Sequence, residues 1–284
     1  MSVIDPGAEL PESFSREHPS AAEIQALELE IAEHPGQRSA RRLKDLERVY
    51  HAWTGFSIGL SNLLKTCETD EDTIVELVIR NVGDTSKRIE ITNVLDQSII
   101  AYVAGLGALI DHVRIVLALQ SEQLQVEYAQ RIGVLMKTVP GALFLSKLRN
   151  YVLHYVVAPW EFSAEQHGDE LSAEVLLNSA ELLTMKNWPA PVRSFISSTG
   201  PQLRLSPLLH PYFSAMQELV VWLIDKCWDD NRATLDEVNK LILKRNLLLT
   251  GVTDGQDWEA RVANMTENMA RAKRGEAQIN FEEK

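Results

Sequence analysis

Proline sets the frame of this chain at one place above all. Pro140-Gly141 and Pro159 bracket the stretch GALFLSKLRNYVLHYVVAPW, and between them apolar residues recur at helical rather than strand spacing. On a helix of 3.6 residues per turn, Phe144, Leu145, Leu148, Val152, Tyr155 and Val156 form an apolar stripe. Lys147, Asn150, Tyr151 and His154 form a polar one. The pattern predicts an amphipathic helix ended by Pro159. The same period dominates the rest of the chain, so the expected class is all-α, with one short β-hairpin.

Taken in order, Ser20 and Glu23 make a capping box for a helix over Ser20 to His34, stopped at Pro35-Gly36. A long helix follows from Ser39 to Leu64. Asp70 to Val82 reads as a short helix, although its β-branched residues also suit a strand. Lys87 to about Leu119 is helical, and Gln120 to Lys137 either continues it or forms a second helix. Ala101, Ala104, Gly105 and Ala108 put small residues on one face, which suits close packing. Beyond Pro159, Trp160 to Glu165 and Leu171 to Leu177 flank His167-Gly168-Asp169 as strand, turn and strand. Helices are then expected over Ser179 to Lys186, Pro191 to Ser198, Ser206 to Asp230, Thr234 to Leu249 and Trp258 to Arg274.

The formal charge is −12, but it is uneven. Residues 1–35 hold eight acids and one base, and residues 251–284 hold seven acids and five bases, leaving the interior nearly balanced. From Tyr128 to Trp160 there is no acid, while Arg131, Lys137, Lys147 and Arg149 are present. Local positive charge is what an anionic ligand needs. The two cysteines, Cys67 and Cys227, offer neither a disulfide framework nor metal-ligand spacing, and no cofactor is expected. The opening MSVIDPGAELPESF lacks the pattern of a signal peptide, and the longest uncharged apolar run, Ile99 to Ile110, is too short for a membrane span. The expected location is the cytoplasm.

Two motifs read as accidents. Gly55-Phe56-Ser57-Ile58-Gly59 fits a nucleophile elbow but lies inside a helical pattern with no strand before it. Arg204 to His210 has the same kind of spacing as Arg149 to His154, but it lies in the proline-bounded RLSPLLHP.

Arg149, Asn150 and His154 carry a stronger signal. Arginine followed by a small polar residue and, five positions on, histidine resembles the Arg-x(4–6)-His motif of the HEPN superfamily. The likeness extends over about Arg38 to Asp230, with Ile110-Asp111-His112-Val113-Arg114 ending a long helix about 35 residues before LRNYVLH. Some active relatives carry Tyr two residues after the histidine, where this chain has Val156. The resemblance implies an antiparallel helical bundle over residues 37–250, with the hairpin at about 160–177. An acidic arm precedes it at 1–36, and a charged helix and tail follow at 251–284.

It also implies metal-independent cleavage of RNA, usually at a site built across a homodimer. His154 would move the proton, Arg149 would hold the phosphate, and Asn150 would orient the histidine or the ribose. Lys147, Tyr151, Arg114, Asp111 and His112 are the expected substrate-binding residues. Roles in growth arrest or antiphage defence, and an antitoxin or regulatory partner, follow from the family alone. Arg149 and His154 are five apart, about 140° around a helix, so a dimer would also bring two motifs together. The competing expectation is an inactive helical interaction module. In it Arg149 pairs with Asp111 or another acid, and His154 packs beneath Trp160 or the hairpin.

Overall fold

The computed structural model describes residues 21–80, 83, 85–168, 170–250, 258–277 and 279. The fold is mainly α-helical with one small antiparallel sheet. Helices α1 (Ala21–Glu33), α2 (Pro35–Thr69) and α3 (Glu71–Ile74) come first, and α3 runs into a π-helical turn, Val75–Ile79. Then come α4 (Ser86–Leu117), α5 (Glu122–Thr138) and α6 (Ala142–His154). Strands β1 (Trp160–His167) and β2 (Glu170–Asn178) precede α7 (Ser179–Leu182) and α8 (Ala190–Ser198). Strand β3 (Gln202–Arg204) leads into α9 (Ser206–Asp230), α10 (Arg232–Thr250) and α11 (Trp258–Lys273).

Contacts divide the chain into two compact units, Met1–Leu43 with Trp228–Lys284, and Lys44–Cys227. This division differs from the expected boundaries at 36 and 250, because segments from both ends of the chain fold on each other. In the first unit, Leu27 and Ile31 of α1 pack on Val238 of α10. Gly36 approaches α10 so closely that a Cβ would meet the Thr234 carbonyl oxygen at 2.2 Å. Pro35-Gly36 therefore opens α2 instead of forming a loop, with proline at the first helical position, where its missing N–H costs nothing. Buried Asn268 holds α11 by donating to the Leu249 carbonyl at 2.7 Å and accepting from the Ile279 N–H at 2.8 Å. Helix α10 begins at Arg232, two residues ahead of the expected start at Thr234. Ser20, the expected cap of the first helix, lies outside the described residues.

The second unit is organised around α4 and α6. The buried face of α4 runs through Leu95, Ile99, Tyr102, Val103, Leu106 and Leu109, the 3–4 spacing of one helical face. Among the described residues α4 is also the one helix long and apolar enough by length and composition to cross a membrane, and 44% of its most apolar window is buried within the fold. Trp53 of α2 is fully buried, 5.5 Å from the Phe213 ring and 6.3 Å from that of Tyr102. A Cβ on Gly105 would stand 2.8 Å from the Phe56 ring, so α2 approaches closely at that one position, while Ala104 and Ala108 of the expected packing face are exposed. Helix α5 is separate from α4, capped by the Ser121 hydroxyl on the Leu124 N–H.

The sheet has the order β1-β2-β3, with Trp160 opposite Leu177 and Leu177 opposite Leu203. Gly168, at φ +64°, makes the hairpin turn, as its freedom in left-handed conformation allows. Ala173, Val175 and Leu177 alternate inward along β2. The hairpin is longer than expected, and β3 was not anticipated, because three residues are too few for a periodic signal. Buried Glu68 at the end of α2 pins this region. Its carboxylate accepts from the Val175 N–H and the Ser206 hydroxyl and pairs with Arg204 at 3.5 Å. On the other side, the Trp160 indole donates to Asp96 of α4 at 2.8 Å.

Candidate functional site

Helix α6 starts where the proline punctuation puts it. Gly141 caps it in the left-handed conformation, φ +69°, and a Cβ there would also crowd Leu208 at 3.0 Å. Ala142, Phe144, Leu145, Leu148, Tyr151 and Val152 are buried, and the helix packs on α4, α5 and α8. The helix ends at His154, with the N–H groups of Tyr155 and Val156 both donating to the Tyr151 carbonyl.

That ending corrects both predicted stripes. Tyr155 and Val156, expected on the apolar face, lie beyond the last turn and are 50% and 47% exposed. Tyr151, expected on the polar face and among the substrate-binding residues, is 1% exposed. Its ring stacks on Trp188 at 5.9 Å, and its hydroxyl donates to the Glu181 carbonyl at 3.4 Å. Burial, with the carboxylate of Glu181 and the Tyr155 ring hydroxyl adding to it, pushes the Tyr151 phenol up to about 12. Trp188, in the connection between α7 and α8, covers more of α6 than the sequence pattern suggested.

Arg149 turns toward α4. Its Nε is buried with no hydrogen-bond partner, and the guanidinium lies against Gly107, where a Cβ would be 2.8 Å from Cδ and Nε. Neither an ion pair nor a hydrogen bond neutralises it among the described residues. The pairing with Asp111 expected of an inactive module is absent, because Asp111 pairs instead with Arg114, one turn on, at 3.1 Å. By contrast Arg204, the arginine of the second motif match, is committed to Glu174 at 2.9 Å and to Glu68. Ser57 of the apparent nucleophile elbow lies mid-helix and donates to the Trp53 carbonyl at 2.9 Å.

A cavity of about 480 Å³ opens where Arg149 points, between α4, α5, α6 and α9. Asp111, Arg114, Lys147, Arg149 and Asn150 line it, and so do Tyr128 and Tyr212. Tyr212 is wholly buried and its hydroxyl has no partner among the described residues. Burial pushes the Tyr128 phenol up to about 12, against the opposing charge of Arg114, and raises those of Tyr212 and Tyr102 as well. At neutral pH these phenols are O–H donors, not anions. His112 falls outside the cavity lining. It sits about 140° around α4 from Gly107, five residues back.

His154 faces elsewhere. It is exposed, and with Asn150, Tyr155, Thr184, Lys186 and Asn187 it lines a second depression of about 560 Å³. It is not packed beneath Trp160. Asn150 borders both cavities, so one side chain separates the arginine from the histidine. Of the predicted residues, the structure brings together Asp111, Arg114, Lys147, Arg149 and Asn150 in one cavity, joins His154 to that group only through Asn150, and leaves His112 and Tyr151 outside it. The sequence reading missed Gly107, Tyr128 and Tyr212. Tyr212 is brought in from α9, 63 positions away from Arg149.

Compared with family models, with curated proteins and with solved structures, the chain shows no match.

Proposed function

We propose that this chain is a metal-independent endoribonuclease of HEPN type, with a catalytic centre completed by a second copy of itself. The observation that carries this reading is Arg149, a cation left without an acid, beside a lone exposed histidine and the asparagine between them. An unpaired guanidinium at a cavity offers two parallel donors to a phosphate.

In the proposed reaction His154 takes the proton from a ribose 2′-hydroxyl. The 2′-oxygen attacks the adjacent phosphorus while the bond to the 5′-oxygen breaks, and that oxygen leaves with a proton from the His154 of the other copy. The products are a 2′,3′-cyclic phosphate and a 5′-hydroxyl. Arg149 stabilises the charge that grows on the phosphoryl oxygens, and Asn150 aligns the ribose between the two depressions. Consecutive exposed apolar residues at Tyr155, Val156 and Val157, beside His154, support a surface covered by another chain. A cytoplasmic location, a role in toxin or antiphage defence and a regulatory protein partner belong to the same proposal through the family resemblance.

The second reading, a catalytically inactive interaction module, is favoured by one observation. Within a single chain Arg149 and His154 open into different depressions. Cleavage of a mixed RNA in EDTA by wild type, Arg149→Ala and His154→Ala separates the two. Cyclic-phosphate ends that vanish in both folded variants are the expected result. No cleavage by a folded wild-type dimer supports the interaction module instead.

A further inference from the structure

The cavity between α4, α5, α6 and α9 has a charge and a wall that RNA cleavage does not account for. Four charged side chains line it: Asp111, Arg114, Lys147 and Arg149. Asp111 and Arg114 cancel each other as an ion pair, while Lys147 and Arg149 have no counter-charge among the described residues. Two positive charges are left over. Two buried donors on lining residues have no acceptor among the described residues, the Arg149 Nε and the Tyr212 hydroxyl. A buried donor without an acceptor costs about 1–3 kcal/mol, and more when it is charged, so a fold that keeps two of them at one cavity suits an acceptor supplied from outside.

Apolar side chains, among them Leu106, Ile132, Met136 and Met216, share the remaining wall with Tyr128, Ser146 and Asn150. At about 480 Å³ the cavity falls within the roughly 300–1,000 Å³ typical of small-molecule sites, and is far larger than one tetrahedral anion requires. Two free cations match a group carrying close to two negative charges. At neutral pH a phosphate monoester does so, whereas a carboxylate or an RNA phosphodiester carries one.

We propose that this cavity binds a small organic phosphate monoester, with the phosphate held by Arg149, Lys147 and the Tyr212 hydroxyl and the organic body against the aliphatic and methionine wall. Gly107 is the residue that makes room, because any side chain there displaces the Arg149 guanidinium. Since Arg149 also serves the proposed ribonuclease, an occupied cavity competes with RNA. Ester binding itself needs no contribution from His154 and stands whether or not RNA is cut.

Isothermal titration of the full chain with phenyl phosphate and with adenosine 5′-monophosphate tests this, with inorganic phosphate and benzoate as the partial ligands. The expected result is one-to-one binding of at least one ester, about tenfold or more tighter than either partial ligand. Its affinity falls as pH drops below about 6, where the phosphate gains its second proton. Tighter binding of the nucleotide assigns a nucleotide source, and tighter binding of phenyl phosphate assigns a non-nucleotide ester. Arg149→Ala weakens the ester about tenfold or more and Tyr212→Phe about fivefold. His154→Ala keeps the ester affinity even where it abolishes cleavage, which separates this site from the nuclease reading. Should Arg149→Ala not fold, Lys147→Ala at the same cavity takes its place, with a similar loss expected. The proposal is overturned if neither ester binds at millimolar concentration or if inorganic phosphate binds as tightly as the esters. Unchanged ester affinity in the folded cavity variants overturns it equally.

Discussion

The Arg149 guanidinium lies so close to Gly107 that a Cβ on the glycine would stand 2.9 Å from its Cζ. A helix interior ordinarily prefers alanine to glycine by about 1 kcal/mol. At this position the glycine instead gives the arginine its place, so Gly107→Ala tests site and fold separately. The helical gain offsets the displaced side chain, and stability is expected to stay within about 1 kcal/mol of wild type. RNA cleavage should fall by about tenfold, the loss of one charge-assisted contact. Cleavage at the wild-type rate in the folded variant would mean that the position of Arg149 is immaterial.

Tyr151 belongs to the core, and its substitutions should show it. Tyr151→Phe removes a hydroxyl whose hydrogen bond is long, 3.4 Å, and is expected to cost about 1 kcal/mol or less and leave cleavage intact. Tyr151→Ala empties the space against Trp188 and should cost about 3–5 kcal/mol. Urea denaturation reads both. A large activity loss in a stable Tyr151→Phe protein would restore the tyrosine to the substrate.

Glu68 joins α2 to β2, to Arg204 and to the start of α9 through one nearly buried carboxylate. Glu68→Ala leaves the Val175 N–H and the Arg204 guanidinium without that acceptor, and a loss of about 3 kcal/mol is expected in chemical denaturation. Arg204→Ala should cost less, since Arg204 is partly exposed, and should not change cleavage. Loss of cleavage in a folded Arg204→Ala variant would move the active motif to Arg204 and His210.

Alkaline pH should weaken the fold. Burial, with the Glu68 charge added, raises the Cys67 thiol from 9.0 to about 11, and burial raises the Tyr151 phenol from 10.0 to about 12. In both cases the unfolded chain loses its proton first. The stabilising contribution is therefore complete below pH 9 and declines as pH rises, through 11 for Cys67 and through 12 for Tyr151. The urea midpoint should be flat from neutrality to pH 9 and fall above it, and Cys67→Ala should flatten the first part of that fall. A wild-type midpoint that holds constant to pH 11 would contradict the buried thiol.

Much of the fold was legible because its signals are local. Pro140-Gly141 announced the start of α6 and Gly168 the hairpin turn, whereas α6 ends at His154, ahead of the expected stop at Pro159. The 3–4 apolar spacing announced α4, α9 and α10. The errors came where a distant segment decided the outcome. The face of α6 that looks polar at Tyr151 is covered by Trp188, and Pro35-Gly36 looks like a break until Thr234 comes to lie against it. Strand β3 exists because β2 offers an open edge, which three residues on their own could not reveal.

The candidate site divides along the same line. Chain order alone determined that Arg149, Asn150 and His154 lie on one short helix, that Arg149 and His154 point about 140° apart, and that no acid lies near them in sequence. Helix geometry depends on short-range sterics and hydrogen bonds, which each residue carries with it. Only the tertiary structure decided that Gly107 admits the guanidinium and that Tyr212 arrives from α9 to line the same cavity. Neutralisation and burial depend on which surfaces meet, and that is settled by packing across the whole unit, beyond the reach of any spacing along the chain.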